Sequence, residues 1–385
     1  MVLIFFMTKK DLGVNRQIFI GIINQQMLIK IKNMKTLKQI FETIVKIDSI
    51  SGEEKKMRLF LINFLKGKNL KFRVDNVGNL FVFHYQKNKE PFLLVSHMDT
   101  VEPGKNIKPI FDGQFFKSDG QTILAADNKA YLAAILSLLQ KKEIYQKSFE
   151  IIFSVKEETG GGIEFFSFSW IKSKWGIIFD NANPVGGIVL RSPFIINFYI
   201  DFIGKATHSS TPKKGKNSLL CAVNFLKKIK IGFNDEKQTT INIGLFKSGS
   251  AINTIPEITQ IRGEIRSYQK NLFEKHQKKI KKFAQFCVQK YRIKMNFYTA
   301  SFCPGYEFKK DDPLIKMVVE KIKASNLKPR FYCYSGVSDA NILNEKGIKT
   351  VVLSDGVMNP HSTKEKISLA SLIKIEEILK KIILI

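Results

Sequence analysis

The chain has 385 residues, 44% of them hydrophobic and 25% charged. That is too long for one ordinary core, and no apolar run approaches the roughly 18 residues of a membrane-crossing helix. A net charge of +28 raises nucleic acid or an anionic membrane as partners, but the lysines are spread along the whole chain without any recognised binding motif. No specific nucleic acid and no membrane is therefore expected, and a non-catalytic basic nucleic-acid-binding protein stays as a remote alternative.

In chain order, VLIFF near the start is followed by charged MTKKD with no small-residue cleavage site, so it does not read as a signal peptide, and the cytoplasm is the expected location. Residues 1–33 read as an extension, or as a start assigned too early. From Met34 onward Leu37, Ile40, Phe41, Ile44 and Val45 recur at helical spacing. Residues 92–95 (FLLV) predict a buried strand, 130–139 (AYLAAILSLL) an apolar helix, and 149–155 and 176–179 further strands; buried strands alternating with helices imply an α/β sheet.

The pattern changes after about Arg191. A strand over 194–203, a helix over 217–228, strands over 239–244 and 260–267, an amphipathic helix over 272–291 and a strand over 294–299 give the β-α-β-β-α-β order of a ferredoxin-like sandwich. After Pro304 the α/β style returns, with a strand at 350–353 and a last helix from about Ser368. The expected architecture is an α/β catalytic domain (34–190 and 301–385) interrupted by an inserted α+β lid (191–300). The four cysteines, Cys221, Cys287, Cys303 and Cys333, form no C-x-x-C pair and read as buried thiols. His84 and His276 read as surface residues, and the lysines of 274–282 as a solvated helix face.

Five short stretches carry chemistry. In SVKEETGGG, residues 154–162, Glu157 and Glu158 stand side by side after an apolar strand. Two adjacent carboxylates repel each other there unless a strong positive charge, such as a metal ion, is present. In VSHMDTV, His97 and Asp99 share one face of a strand end, and Asp99 is placed to fix the tautomer of a ligating His97. Asp127 precedes the apolar helix, where it is also a natural N-cap. Asp180 ends the strand of IIFDNANPVGG, and His361 lies in MNPHSTKE beyond the last strand. All lie at or just past strand ends, the rim where open α/β sheets bind ligands. A mixed histidine and carboxylate set suits zinc, manganese or cobalt better than calcium.

This constellation resembles the M20 family of metallopeptidases, most closely its peptidase T-like branch. The matching stretches are SHMDTV, LAADNKAYLAAIL, EETGGG, FDNANPVGGI, KATHSSTPKKGKNS, SGSAINTIPE, RGEIRS, SGVSDANIL and NPHSTKEKI. The resemblance implies a zinc-peptidase-like catalytic domain with a dimerising lid and two divalent ions, zinc first with cobalt or manganese as alternatives. It assigns His97, Asp127 and Asp180 to one ion and Asp127, Glu158 and His361 to the other. Glu157 takes the place of the general base and Asp99 that of the His-orienting residue. From the lid, His208 would reach an active site, often the partner subunit's, while Asn253 and Arg266 would hold substrate, with Arg262 a rival for Arg266; Asp339 receives no firm role. The implied activity is aminopeptidase action on short peptides, with an N-acyl amino-acid deacylase or a dipeptidase as the alternative. One departure stands out: Asn128 follows Asp127 where the family usually has a second aspartate.

Overall fold

A computed structural model describes residues 36–384; the extension read at 1–33 lies outside them. The first part of the chain forms α1 (Leu37–Ile44), α2 (Lys55–Gly67), β1 (Lys71–Val74), β2 (Leu80–His84), β3 (Phe92–His97), β4 (Ile110–Phe111), β5 (Phe115–Lys117), α3 (Ala126–Leu138), β6 (Phe149–Ser154), β7 (Trp175–Phe179) and β8 (Gly187–Ser192). The lid follows as β9 (Phe194–Ile203), α4 (Ser218–Leu226), β10 (Gly232–Asn234), β11 (Thr239–Ser248), β12 (Ile258–Ser267), α5 (Lys270–Tyr291) and β13 (Lys294–Cys303). The chain returns through β14 (Tyr306–Glu307), α6 (Pro313–Ala324), β15 (Arg330–Cys333), α7 (Asp339–Glu345), β16 (Lys349–Leu353), β17 (Lys366–Ser368) and α8 (Leu369–Ile383).

Among the described residues, nine strands build the main sheet in the order β1-β2-β6-β3-β7-β16-β8-β14, with β15 also pairing β8. Its centre, β6-β3-β7-β16, is parallel. Those strands are buried almost throughout, as expected when both faces are covered. Alternate residues serve the two cores: Leu94, Ile151, Ile177 and Val351 face one cluster, with α3 and α8, and Val95, Ile152, Ile178 and Val352 the other, with α7. Each such aliphatic side chain contributes on the order of 1.5–3 kcal/mol on burial. Because the four central strands run the same way, their C-terminal ends meet at one rim, carrying His97, the turn after Ser154, Asp180 and the segment after Leu353.

The lid sheet runs β10-β11-β12-β9-β13, all antiparallel. Without the short β10 this is the ferredoxin-like arrangement expected from the element order. The buried alternation of β9 packs Phe198, Ile200 and Phe202 with Phe225 of α4 and Ile280 of α5 in a separate core.

Some expectations need correction. His276 is 4% exposed; it lies on the buried stripe of α5 with Phe273, Ile280, Ala284 and Cys287, and its Nε2 is 2.5 Å from Asp235 Oδ2. The lysines of that helix are exposed, as expected of a solvated face. His84 is half-buried, with Nε2 2.9 Å from the Tyr145 carbonyl. Cys221 and Cys287 are buried, but Cys303 is only partly so and Cys333 is exposed, because β15 leaves its side chain at the surface. The structure adds the β1–β2 hairpin, α2, β8, β15, α6 and α7 to the expected elements; α2 and α6 do carry helical spacing, in Met57, Phe60, Leu61, Phe64 and Leu65 and in Leu314, Ile315, Val318 and Ile322.

Candidate metal centre

His97 closes β3 and is 2% exposed. Its Nδ1 is 3.0 Å from the Asp99 main-chain carbonyl and 3.4 Å from Asp99 Oδ1. The tautomer of His97 is thus set more closely by the backbone of Asp99 than by its carboxylate. That carboxylate also accepts hydrogen bonds from Ser51 Oγ (2.6 Å), the Glu157 N–H (3.0 Å) and the Glu158 N–H (3.1 Å). Burial opposes its charge, but His97, Ser51 and the Glu157 amide hold the carboxyl below its ordinary range. Replacing Asp99 with Ala leaves two backbone donors without an acceptor and frees the Glu157–Glu158 turn. Steady-state peptide hydrolysis is expected to fall about ten- to hundredfold, the usual cost of losing a ligand-supporting partner.

Asp127 is not the N-cap of α3. Ala125 holds that place in the left-handed region (φ 62°), no side chain caps the helix, and the Asp127–Asn128 peptide is cis. This turn is held by Glu365, whose carboxylate accepts the N–H groups of Leu124 (2.8 Å), Ala125 (2.8 Å) and Asp127 (3.0 Å). Asn128, the departure noted in the sequence, accepts from Ser96 Oγ at 2.6 Å and donates to the Phe179 carbonyl, tying the start of α3 to β3 and β7. The two Asp127 oxygens face different imidazoles: Oδ1 is 3.4 Å from His97 Nε2 and Oδ2 is 3.4 Å from His361 Nε2. His361 Nε2 is also 2.9 Å from Glu158 Oε1.

Three sets of potential ligands result: His97–Asp127–Asp180, Asp127–Glu158–His361 and His97–Glu157–Glu158, with the ligand atoms of each set within 4.8 Å of one another. The five residues expected to hold ions and the expected base all meet at the rim. Their mutual repulsion shows in their ionisation. Burial, and then the charge of Asp127, pushes Asp180 well above the usual carboxylate range; burial and then Asp180 do the same to Glu157. His361 is pushed up to about 10 by its hydrogen bonds to Asp127 and Glu158. A dense set of carboxylates and imidazoles with this mutual repulsion fits divalent ions that accept nitrogen and oxygen ligands.

The lid residues stand apart from this cluster. His208 is exposed, with Nδ1 2.7 Å from Ser210 Oγ. Asn253 is exposed and its carbonyl accepts the Ser209 N–H at 2.8 Å. Arg266 is engaged by Glu264 (Nε to Oε1 2.5 Å, Nη2 to Oε2 2.9 Å) and donates to the Ser335 carbonyl at 2.7 Å; Arg262 pairs with Asp201 at 2.7 Å.

Several supporting acids are not visible as such in the sequence. Asp339 accepts from Ser154 Oγ at the end of β6 and is pushed up to about 7 by burial. Asp355 is 2% exposed and pushed up to about 8 by burial and then Asp127. Glu54 accepts the N–H groups of Gly52 and Lys156. The only signal for them is an acidic residue near a motif, which is common at any surface.

Residues 194–293 match a peptidase dimerisation domain of the M20 type. An aminopeptidase PepT from Bacillus cereus superposes with a TM-score of 0.86 at 29% identity, over 91% of this chain and 98% of that one. A tripeptidase from Staphylococcus aureus gives 0.85 at 29% identity, over 94% and 98%. The YqjE protein of Bacillus subtilis is 29% identical over 365 residues, 91% of this chain and 98% of its own. The chain thus has the M20 peptidase fold, its lid matching the dimerisation domain, and over nearly its whole length it is similar to peptidases of the peptidase T-like kind.

Proposed function

We propose that this metal-dependent peptide-bond hydrolase is an aminopeptidase acting on short peptides. The observation that carries the reading is the sharing of Asp127 between two ligand sets, one completed by His97 and Asp180 and the other by Glu158 and His361. Two divalent ions, zinc by preference, would be held there. When bound, such ions polarise a scissile carbonyl and lower the pKa of water from about 16 towards 7.

The protein's own groups then divide the work. Asp99 fixes the turn that presents Glu157 and Glu158. Glu157, half-buried beside the ligands, takes a proton from the attacking water and returns it to the departing amine. His208 supplies a donor for the developing oxyanion from the partner subunit of a homodimer formed through the lid. Arg266 and Asn253 hold the peptide, Arg266 exchanging Glu264 for a carboxylate it grips with two hydrogen bonds. No helix of the described residues is long and apolar enough to cross a membrane, and we place the enzyme in the cytoplasm.

The test is a panel of di-, tri- and N-acylated peptides assayed with zinc, manganese and cobalt. Release of the N-terminal residue from tripeptides is the expected result. Cleavage of N-acyl amino acids alone would assign the chain to deacylation instead.

A further inference from the structure

The segment bearing Glu157 and Glu158 leaves β6 at Ser154 and returns at Gly162, and the two ends touch. A Cβ at Gly162 would lie 1.6 Å from the Val155 carbonyl oxygen, so only glycine fits there. A single side chain from elsewhere in the chain joins both ends. Asn79, fully buried in the turn just before β2, accepts the Val155 N–H with Oδ1 (3.0 Å) and donates from Nδ2 to the Gly162 carbonyl (3.1 Å). Its amide therefore behaves like a strand partner that closes the loop across its neck.

Asn79 is itself held. Its Nδ2 donates to Asp75 Oδ2 at 2.7 Å, while Asp75 Oδ1 accepts the N–H groups of Val77 (3.0 Å), Gly78 (2.8 Å) and Asn79 (2.9 Å). Every polar atom of the Asn79 amide thus has a protein partner. Its orientation is also fixed: only oxygen towards Val155 and nitrogen towards Gly162 and Asp75 satisfies all three.

We propose that Asn79 is a positioning residue for the metal centre, closing the 155–162 loop so that Glu157 and Glu158 face the other ligands; the inference rests on the peptidase reading of that centre. Other anchors hold single points of the loop: Asp99 at Glu157 and Glu158, Glu54 at Lys156, Glu164 at Gly161 and Gly162. Asn79 alone among the described residues pairs with both arms through side-chain hydrogen bonds. Losing it widens the neck, moving the carboxylates relative to His97 and His361 without removing any ligand.

The test uses the full-length protein with zinc. Asn79→Asp keeps the size and the acceptor for Val155 but turns an oxygen towards Gly162 and Asp75; Asn79→Ala removes all three bonds. Both are expected to lower kcat about ten- to hundredfold with KM within about threefold, and to retain less zinc on dialysis. Ile322→Ala, in the core of α6, serves as a control of lowered Tm with kcat and zinc content unchanged. Asn79 variants that behave like this control, or an Asn79→Asp protein that does not fold, assign the residue to stability alone and overturn the proposal. A wild-type protein that neither retains zinc nor cuts peptides instead removes the peptidase reading, which separates the two failures.

Discussion

Asp127→Asn is expected to abolish zinc retention at both positions and to lower peptide hydrolysis by at least about a thousandfold. Each Asp127 oxygen faces a different histidine at 3.4 Å, and Asp127 belongs to both completed ligand sets. An amide offers one weaker acceptor in place of two anionic oxygens, so one substitution damages two sites. The substitution is nearly isosteric, and the main-chain anchor to Glu365 is untouched, so the fold should survive. A ligand bound only by the native state stabilises it by RT ln(1 + [L]/Kd), about 4 kcal/mol at a thousand times Kd. Wild-type protein should therefore show a clear rise in Tm on adding zinc, and the variant little or none. Metal analysis after dialysis, thermal melts and peptide assays check the three parts. Full zinc content in the variant would show that Asp127 bridges nothing.

The electrostatics explain why the rim tolerates so many acids. Asp180, Glu157, Asp355 and Asp339 are all pushed above the ordinary carboxylate range, burial being the first cause in each. Protonation is one escape from that repulsion, and cations are the other. Two divalent ions held by Asp127, Glu158, Asp180 and the two histidines would set four positive charges against these carboxylates and would leave Glu157 near charges that favour its ionised form.

What is legible in the sequence follows from the range of each interaction. Most of the ligands sit where apolar strands stop, and a short apolar run with a His or Asp at or just past its end can be seen in ten residues. The lid is legible because β9, α4, β11, β12, α5 and β13 each carry their own alternation. The supports are not. Glu365 accepts from Leu124 across 241 positions and Asn79 reaches Gly162 across 83, and nothing local marks an Asn or Glu as a partner for a distant backbone group. His276 looks exposed because its flanking lysines dominate the window, although the 273, 276, 280, 284 and 287 spacing of its buried stripe is visible once α5 is known. Asp127 shows the opposite limit. Its position before an apolar helix suits a cap, and only the left-handed Ala125 and the grip of Glu365 turn it towards the histidines.

Glu157→Gln separates chemistry from binding. Glu158 is the neighbour that completes a set with Asp127 and His361, whereas Glu157 belongs only to the set with His97 and Glu158. Its main-chain N–H is fixed by Asp99 at 3.0 Å, which aims the side chain through the backbone. Glutamine keeps the shape and the backbone anchor but cannot accept a proton. The variant should therefore retain zinc, fold normally and bind peptide with a KM near that of the wild type. Its kcat should fall by about 10² to 10⁴, the contribution typical of a positioned general base. The acid limb of the pH profile should fade with it, because the group whose ionisation the limb reports is gone. A loss of zinc in step with the loss of rate would make Glu157 a ligand rather than the base, and an unchanged kcat would move the proton transfer to another acid at the rim, with Asp339 and Asp355 the nearest in chemistry.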